Sequence, residues 1–473
     1  MGKMNKQQQF NNNKSALRKL ESIIEVAILT YLYYLAWSLF YRTQMAPYLG
    51  MGKWVLLGIY VVITLALLAV IDGLKFGHQK LSTVIISQVI ALFISNLITY
   101  FQLCLMANHM LYIAPMLVLY IAEIIIDVVC SYLFTRIYHT FNVPQQMLMI
   151  YGNEDALTLK FKMDERQEKY RVTDVMSCFE DADKIRAEIY KHDSVIINDV
   201  PSGKRNSILK FCYEHGIRTY MAPKISDIIV RGAEEINLFD TPLLLSRGRG
   251  LSPTHRFVKR LLDIVLCSIA MIPFSIIWAI VAIAIKAEDG GPLFYRQTRI
   301  TRFGREFEII KFRSMIVDAE KGGYDMSMRA TGEDPRITKV GKVIRKYRID
   351  ELPQILNILK GDMSIVGPRP ERVENYEEYL KDIPEFALRN KVRAGLTGYA
   401  QVYGRYNTTA YDKLKMDLTY IENYSLILDV KLVFMTLQVM FKSEATEGFE
   451  KQEEMEERKR ELISKKKANK ASQ

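Results

Sequence analysis

The stretch "KRLLDIVLCSIAMIPFSIIWAIVAIAIK", residues 259–286, decides how the chain is read. As one straight helix it would be ~42 Å long, more than the ~30 Å of a bilayer's hydrocarbon core. Pro273 sits at its middle, where it removes a hydrogen-bond donor and clashes one turn back. Basic residues flank both sides: Arg256, Lys259 and Arg260 before it, Lys286, Arg296, Arg299 and Arg302 after it. A crossing would strand the second flank outside the cell, against the positive-inside rule. A hairpin kinked at Pro273 keeps both flanks inside. Each half, about 13 residues or ~20 Å of helix, is too short to cross but enough to dip into one leaflet. The expectation for 259–286 is therefore a re-entrant membrane helix.

N-terminal to it, four further apolar runs stand out, at about Ile23–Tyr41, Trp54–Ile71, Leu81–Ala107 and Met110–Thr135. Each is long enough to span, so residues 21–140 are expected to form four transmembrane helices after a tail at 1–20. The first run is too long for a signal peptide and no small-residue cleavage site follows it. Lys3, Lys6, Lys14, Arg18 and Lys19 precede span one, Lys75 and Lys80 lie between spans two and three, and Arg136 follows span four. That asymmetry puts both ends of the bundle in the cytoplasm. Glu25, Glu123 and Asp127 read as interfacial or bundle-buried acids rather than a proton pathway, because no partner base is visible.

Residues 146–245 alternate short apolar runs ("MLMIY", "YRVTDVM", "SVIIN", "IRTYM") with charged helical stretches, the pattern of a Rossmann-like, doubly wound α/β domain. Gly152 stands alone after the first run, so the G-x-G-x-x-G dinucleotide fingerprint is missing and a structural or regulatory role is expected. "LSRGRGLSPTH" reads as a linker over 246–258, and 443–473 as a charged C-terminal tail.

The 473 residues carry a net charge of +11, which points to an anionic partner: nucleic acid, a phospholipid surface or a phosphorylated substrate. The five cysteines show neither disulfide nor zinc spacing. After His255 there is no histidine, and the only later cysteine is Cys267, in an apolar run. Chemistry in the C-terminal half must therefore run on Asp, Glu, Lys, Arg, Tyr or a metal, and a Ser-His-Asp or Cys-His arrangement is excluded there.

In that half, "RIDELPQILN" (348–357) pairs Asp350 and Glu351 just ahead of Pro353. One reading is helix capping, with acids at the positive end of a helix dipole and proline tolerated in the first turn. The other is chemical. Carboxylates among arginines would be ionised and would hold Mg²⁺ with substrate phosphates, and an aspartate can itself attack phosphorus. Basic residues gather nearby, among them Arg299, Lys311, Arg313 and Arg345. In "GPRP", 367–370, Pro368 and Pro370 fix the backbone around Arg369 and pre-organise its guanidinium for phosphate.

Taken together, "KRLLDI", the run with Pro273, "GPLFYRQTR", "FEIIKFRSM", "RIDELPQILNILKGDMSIVGPRPE" and "GLTGYAQVYGR", in order over about Lys259–Lys442, resemble the bacterial sugar transferase family, the monotopic phosphoglycosyl transferases. The whole chain is similar to their large form, the polyprenyl-phosphate hexose-1-phosphate transferases. The resemblance implies a mainly α cytoplasmic catalytic domain at 287–442. Asp350 would be the nucleophile that takes the phosphosugar from a UDP-sugar, releases UMP and passes the phosphosugar to polyprenyl (undecaprenyl) phosphate. Glu351 would help bind Mg²⁺, and Lys311, Arg313, Arg345, Arg369 and Arg405 would surround the phosphates; Asp417 lies in a matching stretch. It further implies a multi-pass protein of the bacterial inner membrane, in contact with lipid, with no nucleic acid and as a homodimer, acting at the first membrane step of exopolysaccharide, capsule or O-antigen synthesis. Ile272, Arg348-Ile349 and Ala394 depart from the residues usual at those places, and none touches the acid pair.

Two rivals stand beside this reading. A membrane-tethered nucleotide-sugar dehydratase or epimerase would use the α/β domain and the Tyr411-x-x-x-Lys415 spacing, but lacks the glycine fingerprint. A non-catalytic scaffold for polysaccharide assembly would keep the basic surface and need no acid pair.

Overall fold

The four N-terminal apolar runs all form helices: α1 (Gly2–Ala36), continued by a π-helical turn over Trp37–Tyr41, α2 (Gly52–Val70), α3 (Leu81–Ala107) and α4 (Ala114–Phe141). The computed structural model describes residues 2–44, 51–76, 81–141, 144–166, 169–238, 240–248, 250–317, 319, 336–404 and 408–440. Within it α1 packs against α2 and α4, and α3 against the same two. Their burial is inside out relative to a water-soluble bundle. Leu39, Val62, Phe93, Leu105, Val118 and Ile125 face outward, while Glu25, Gln88, Asn96, Glu123 and Asp127 are buried between the helices. Among the described residues five helices are long and apolar enough to cross a membrane, these four and the helix containing Pro273.

Next comes an α/β layer: β1 (Gln145–Tyr151), α5 (Thr158–Asp164), β2 (Tyr170–Ser177), α6 (Ala182–Lys191), β3 (Ser194–Asn198), α7 (Ser202–Glu214) and β4 (Arg218–Met221). The strands form one parallel sheet in the order β2-β1-β3-β4. Both faces are covered, as a parallel sheet requires. Leu148 and Ile150 of β1 pack with Ile185 and Ile189 of α6 and Cys212 of α7, and Met147 and Met149 pack on the opposite face with Leu157.

The chain divides into two compact units at Ala222/Pro223, so the parallel sheet ends sooner than a domain drawn to residue 245. In the second unit, α8 (Ile225–Arg231) buries Ile228 in a core shared with Leu414 and Leu418 of α14 (Ala410–Glu422). The antiparallel hairpin β5 (Glu234–Leu238) and β6 (Thr241–Leu245) follows.

α9 runs from Pro253 through Asp289 as one helix with Pro273 inside it. The chain therefore makes no hairpin loop at the proline. Ser275 Oγ donates to the Ile272 carbonyl at 2.6 Å, just past the proline. One face of α9 is docked on both sides of Pro273. Cys267, Met271 and Phe274 pack with Phe307, Ile355 and Ile358, whereas Trp278, Val281 and Ile285 pack with Phe312 and Ile344. The other face, with Ile269, Ile272, Ile276, Ile280 and Ile283, is exposed.

Both ends of α9 are tied into the same unit. Lys259 pairs with Asp429 of α15 (Leu426–Met440) at 2.5 Å, and Asp263 accepts from the Ile365 N–H at 3.1 Å. Arg260 donates to the carbonyls of Ile358 and Leu359. At the far end, Glu288 accepts from the N–H groups of Lys339 and Val340, and Asp289 is ion-paired to Arg313.

The rest of the unit comprises the hairpin β7 (Phe294–Ile300)–β8 (Glu306–Phe312), α10 (Lys339–Lys346), α11 (Gln354–Lys360), β9 (Met363–Val366), α12 (Val373–Asp382), β10 (Ala394–Thr397), parallel to β9, and α13 (Tyr399–Tyr403). The stretch 443–473 lies outside the described residues.

Candidate active site

Asp350 and Glu351 do not cap a helix. They occupy a 3-10 turn, Ile349–Glu351, and α11 starts after it with Pro353 at the N-cap and no side-chain cap. Arg348, immediately before the turn, has a left-handed backbone with φ +53°. A non-glycine residue there is uncommon and strained. It redirects the chain between α10 and the turn.

Glu351 is held by two cations. Its Oε1 accepts from Lys311 Nζ at 3.0 Å and from Arg369 at 2.8 Å. Lys311 arrives by the period of its strand. Phe307, Ile309 and Lys311 alternate onto one face of β8, so the ammonium is drawn inward behind two core residues. Burial pulls the Lys311 pKa below its ordinary value, with Glu351 opposing and Arg369 reinforcing that drop. Burial alone would raise the Glu351 carboxyl, but Arg369 first and Lys311 next hold it well below the usual carboxylate range.

Asp350 behaves oppositely. Burial, and then the charge of Glu351, raise its carboxyl above the ordinary value, while Lys311 and Arg345 pull it back. Two neighbouring acids thus have pKa values pushed apart: Glu351 is a fixed anion among cations and Asp350 the more basic oxygen.

Two supports set this geometry. Asn357 of α11 is buried and bonds the backbone of β8 twice, accepting from Ile310 N at 3.0 Å and donating to the Glu308 carbonyl at 2.7 Å. It locks the helix behind the acid pair to the strand carrying Lys311. The Arg369 loop is pinned where β9 and β10 end: Gly367 N donates to Thr397 O at 2.8 Å and Gly395 N to Pro368 O at 2.9 Å. A Cβ on Gly395 would fall 2.1 Å from Gly367 N, so the close approach requires glycine.

The recess beside Lys311 and Arg369 is lined also by Arg299, Ile309, Gln354, Pro370 and Gly395. Arg299 donates to the Pro370 carbonyl, and burial, then Arg372 and Arg369, lower its pKa to about 10.

Of the other residues singled out in the sequence, Arg345 is exposed on α10 and near enough to act on Asp350. Arg313 is buried against Asp289 at the end of α9, apart from the Glu351 cations. Asp417 is fully buried and binds Arg389 at 2.7 Å. Arg389 also reaches Glu371 at 3.3 Å and donates to the Arg369 carbonyl at 2.9 Å, and Lys413 pairs with Glu371 at 2.9 Å. Asp417 therefore acts behind the site, through the backbone of Arg369. Arg405 lies outside the described residues.

The profile of the family described as Bacterial sugar transferase matches residues 254–443. The exopolysaccharide production protein ExoY of Sinorhizobium fredii is 37% identical over 199 residues, 40% of this chain and 87% of that protein. This chain belongs to the bacterial sugar transferase family. A UDP-glucose:undecaprenyl-phosphate glucose-1-phosphate transferase of Caulobacter vibrioides is 41% identical over 184 residues, 38% of this chain and 68% of the relative. A UDP-N-acetylgalactosamine-undecaprenyl-phosphate N-acetylgalactosaminephosphotransferase of Aeromonas hydrophila is 38% identical over 257 residues, 53% of this chain and 59% of the relative. The chain spans about half the length of several of the longer relatives it matches.

Within this sugar transferase, sequence reasoning did not single out Asn357, Glu371 or Arg389 and counted Arg299 only among the basic residues. "FALRNK" carries no mark that Arg389 is the buried hub, since its partners lie up to 28 positions away. Asp350 and Glu351 offer hard oxygen donors of the kind Mg²⁺ prefers. Because Glu351 Oε1 is already shared by Lys311 and Arg369, Asp350 and the other Glu351 oxygen are the ones left to face an ion.

Proposed function

We propose that this protein transfers a sugar-1-phosphate from a UDP-sugar to polyprenyl phosphate and releases UMP, at the first membrane step of a surface polysaccharide. The observation that carries the reading is the contrast at the 3-10 turn. A carboxyl raised above its ordinary value, Asp350, stands beside an anion locked between Lys311 and Arg369. The Asp350 carboxylate attacks the sugar-linked phosphorus, the bond from that phosphorus to the bridging oxygen breaks, and UMP leaves with that oxygen. An oxygen of polyprenyl phosphate then attacks the same phosphorus, and the Asp350 carboxylate is regenerated. Lys311, Arg369 and Arg299 face the non-bridging oxygens on which negative charge is held during transfer. Mg²⁺ bound by Asp350 and Glu351 would neutralise diphosphate charge.

We place α9 in the membrane interface, re-entrant in the sense that it enters and leaves on one side. Polar bonds fasten both of its ends to one globular unit, and its exposed face is apolar. One substrate dissolves in water and the other in lipid, so a site above such a helix reaches both. The four-helix bundle, the cytoplasmic orientation, the inner-membrane location and a homodimer belong to the same proposal.

The test is full-length protein in lipid with polyprenyl phosphate and a panel of UDP-sugars, measuring UMP release. Release with one sugar, and radiolabelled phosphosugar trapped on protein and lost in Asp350→Asn, is expected. No release with any UDP-sugar would favour the scaffold reading.

A further inference from the structure

The interior of the helical bundle carries polar chemistry that the transfer reaction does not use. Glu25 of α1, Gln88 of α3, and Glu123, Asp127 and Ser131 of α4 are each at most 2% exposed. Ser131 Oγ donates to Gln88 Oε1 at 2.9 Å, which turns the Gln88 amide nitrogen to Glu25 Oε1 at 2.6 Å. One turn before Asp127 on α4, Glu123 is satisfied on both oxygens, by Tyr60 at 2.7 Å and Asn96 at 2.5 Å. Among the described residues, Glu25 Oε2, both oxygens of Asp127 and the amide oxygen of Asn96 are buried without a donor. The carboxyl groups of Glu25 and Asp127 are neighbours.

No Lys, Arg or His occurs in 20–41, 54–74, 81–107 or 110–135, so none of these segments supplies a cationic side chain. Two adjacent buried carboxylates without a counter-charge are not sustainable in a low-dielectric interior. A single proton resolves both shortages: placed on one acid, it donates to the other and removes one charge. The titratable groups facing the pair are Glu21 from α1, Glu123 and Cys130 from α4, and, around Glu123, Tyr33, Tyr60 and Tyr120. Glu21 lies one turn before Glu25, toward exposed Lys19, which marks the open end. Past Glu123 the polar track reaches Tyr60, stacked on Tyr33 at 4.2 Å, and stops at the Tyr33 hydroxyl, which has no hydrogen-bond partner among the described residues.

We propose that the bundle is a proton-binding site: one exchangeable proton is shared by Glu25 and Asp127 and taken up from the end where α1 and α3 begin. The inference is independent of the transfer reaction and needs no sugar or polyprenyl substrate.

The test labels full-length protein in lipid vesicles with N,N′-dicyclohexylcarbodiimide. This apolar reagent adds the O–H of a protonated carboxyl across its C=N bond and rearranges to a stable N-acylurea, which peptide mass mapping locates. The expected result is an adduct on Glu25 or Asp127 that declines as pH is raised, is unchanged by sodium or magnesium, and is lost in the Glu25→Gln/Asp127→Asn double variant. No adduct on either residue at any pH, or an adduct on Glu21 alone, overturns the proposal. Protection by sodium overturns it in favour of a metal-cation site. The decisive sample is the unmodified chain, so a variant that misfolds cannot mask the answer.

Discussion

Asp350 and Glu351 are adjacent in sequence and opposite in energetic sign. The Asp350 pKa is raised in the folded protein, so its ionised form is disfavoured there; the penalty is present above the raised value and vanishes as pH falls below the unfolded value. The Glu351 pKa is depressed, so its contribution to stability is present above the ordinary carboxylate value and is lost as pH falls through that range. Asp350→Asn should therefore stabilise the fold by about 1 kcal/mol while lowering UMP release by at least ~10³-fold. Glu351→Gln should destabilise by about 3 kcal/mol, because Lys311 and Arg369 lose the anion between them. Thermal unfolding of the two variants checks the pair of signs, and shifts in the same direction would refute the assignment. A pH profile offers a second check. UMP release should fall as Asp350 gains its proton, with the acid limb above the ordinary aspartate value. Arg345→Gln should move that limb to higher pH, since Arg345 favours the ionised form; an unmoved limb would mean another group controls it.

At the scale of elements, what was legible is what period and composition control. The apolar runs are helices and the alternating runs are strands of a parallel sheet, because burial patterns repeat locally. Pro353 sits at the turn that starts α11, and Pro368 and Pro370 lie in the loop after β9. The fastening was not legible. Asn357 looks like one more polar residue in "ILNILK", yet its amide joins α11 to β8 across 47 and 49 positions of sequence. Arg389 likewise gathers Asp417 of α14 with Glu371 and the Arg369 carbonyl of the loop after β9. Such partners come from topology, which a single sequence does not display. Asn357→Leu should strand the Ile310 N–H and the Glu308 carbonyl, at a cost of about 2–3 kcal/mol in chemical denaturation. Activity should fall further than stability explains, because Lys311 then loses its register with Glu351. Arg389→Lys keeps the charge but not the fork that reaches three partners. It should raise the KM for UDP-sugar through a misplaced Arg369, and an unchanged KM would leave Arg389 a purely structural residue.

For the molecule as a whole, the issue is which side of a membrane each end of α9 occupies. Composition alone allows a crossing, since the helix is ~55 Å long and its outer face is apolar. The bonding argues otherwise. Lys259, Arg260 and Asp263 at one end, and Glu288 and Asp289 at the other, hold polar groups of a single folded unit, and the face between them is docked on that unit's core. A crossing would drag those polar anchors through hydrocarbon or tear them loose, and each unsatisfied backbone group there would cost several kcal/mol. The apolar face is better accommodated by lying against or dipping into one leaflet. In a background with the five native cysteines replaced, single cysteines at Arg256, Ala287 and Ser314 should all react with a membrane-impermeant maleimide from the same side of sealed vesicles. Reaction of Arg256→Cys and Ala287→Cys from opposite sides would establish a crossing. It would also separate the acid pair from the side on which the flank before α9 lies, and the proposed meeting of a soluble nucleotide sugar with a lipid acceptor above α9 would fail with it.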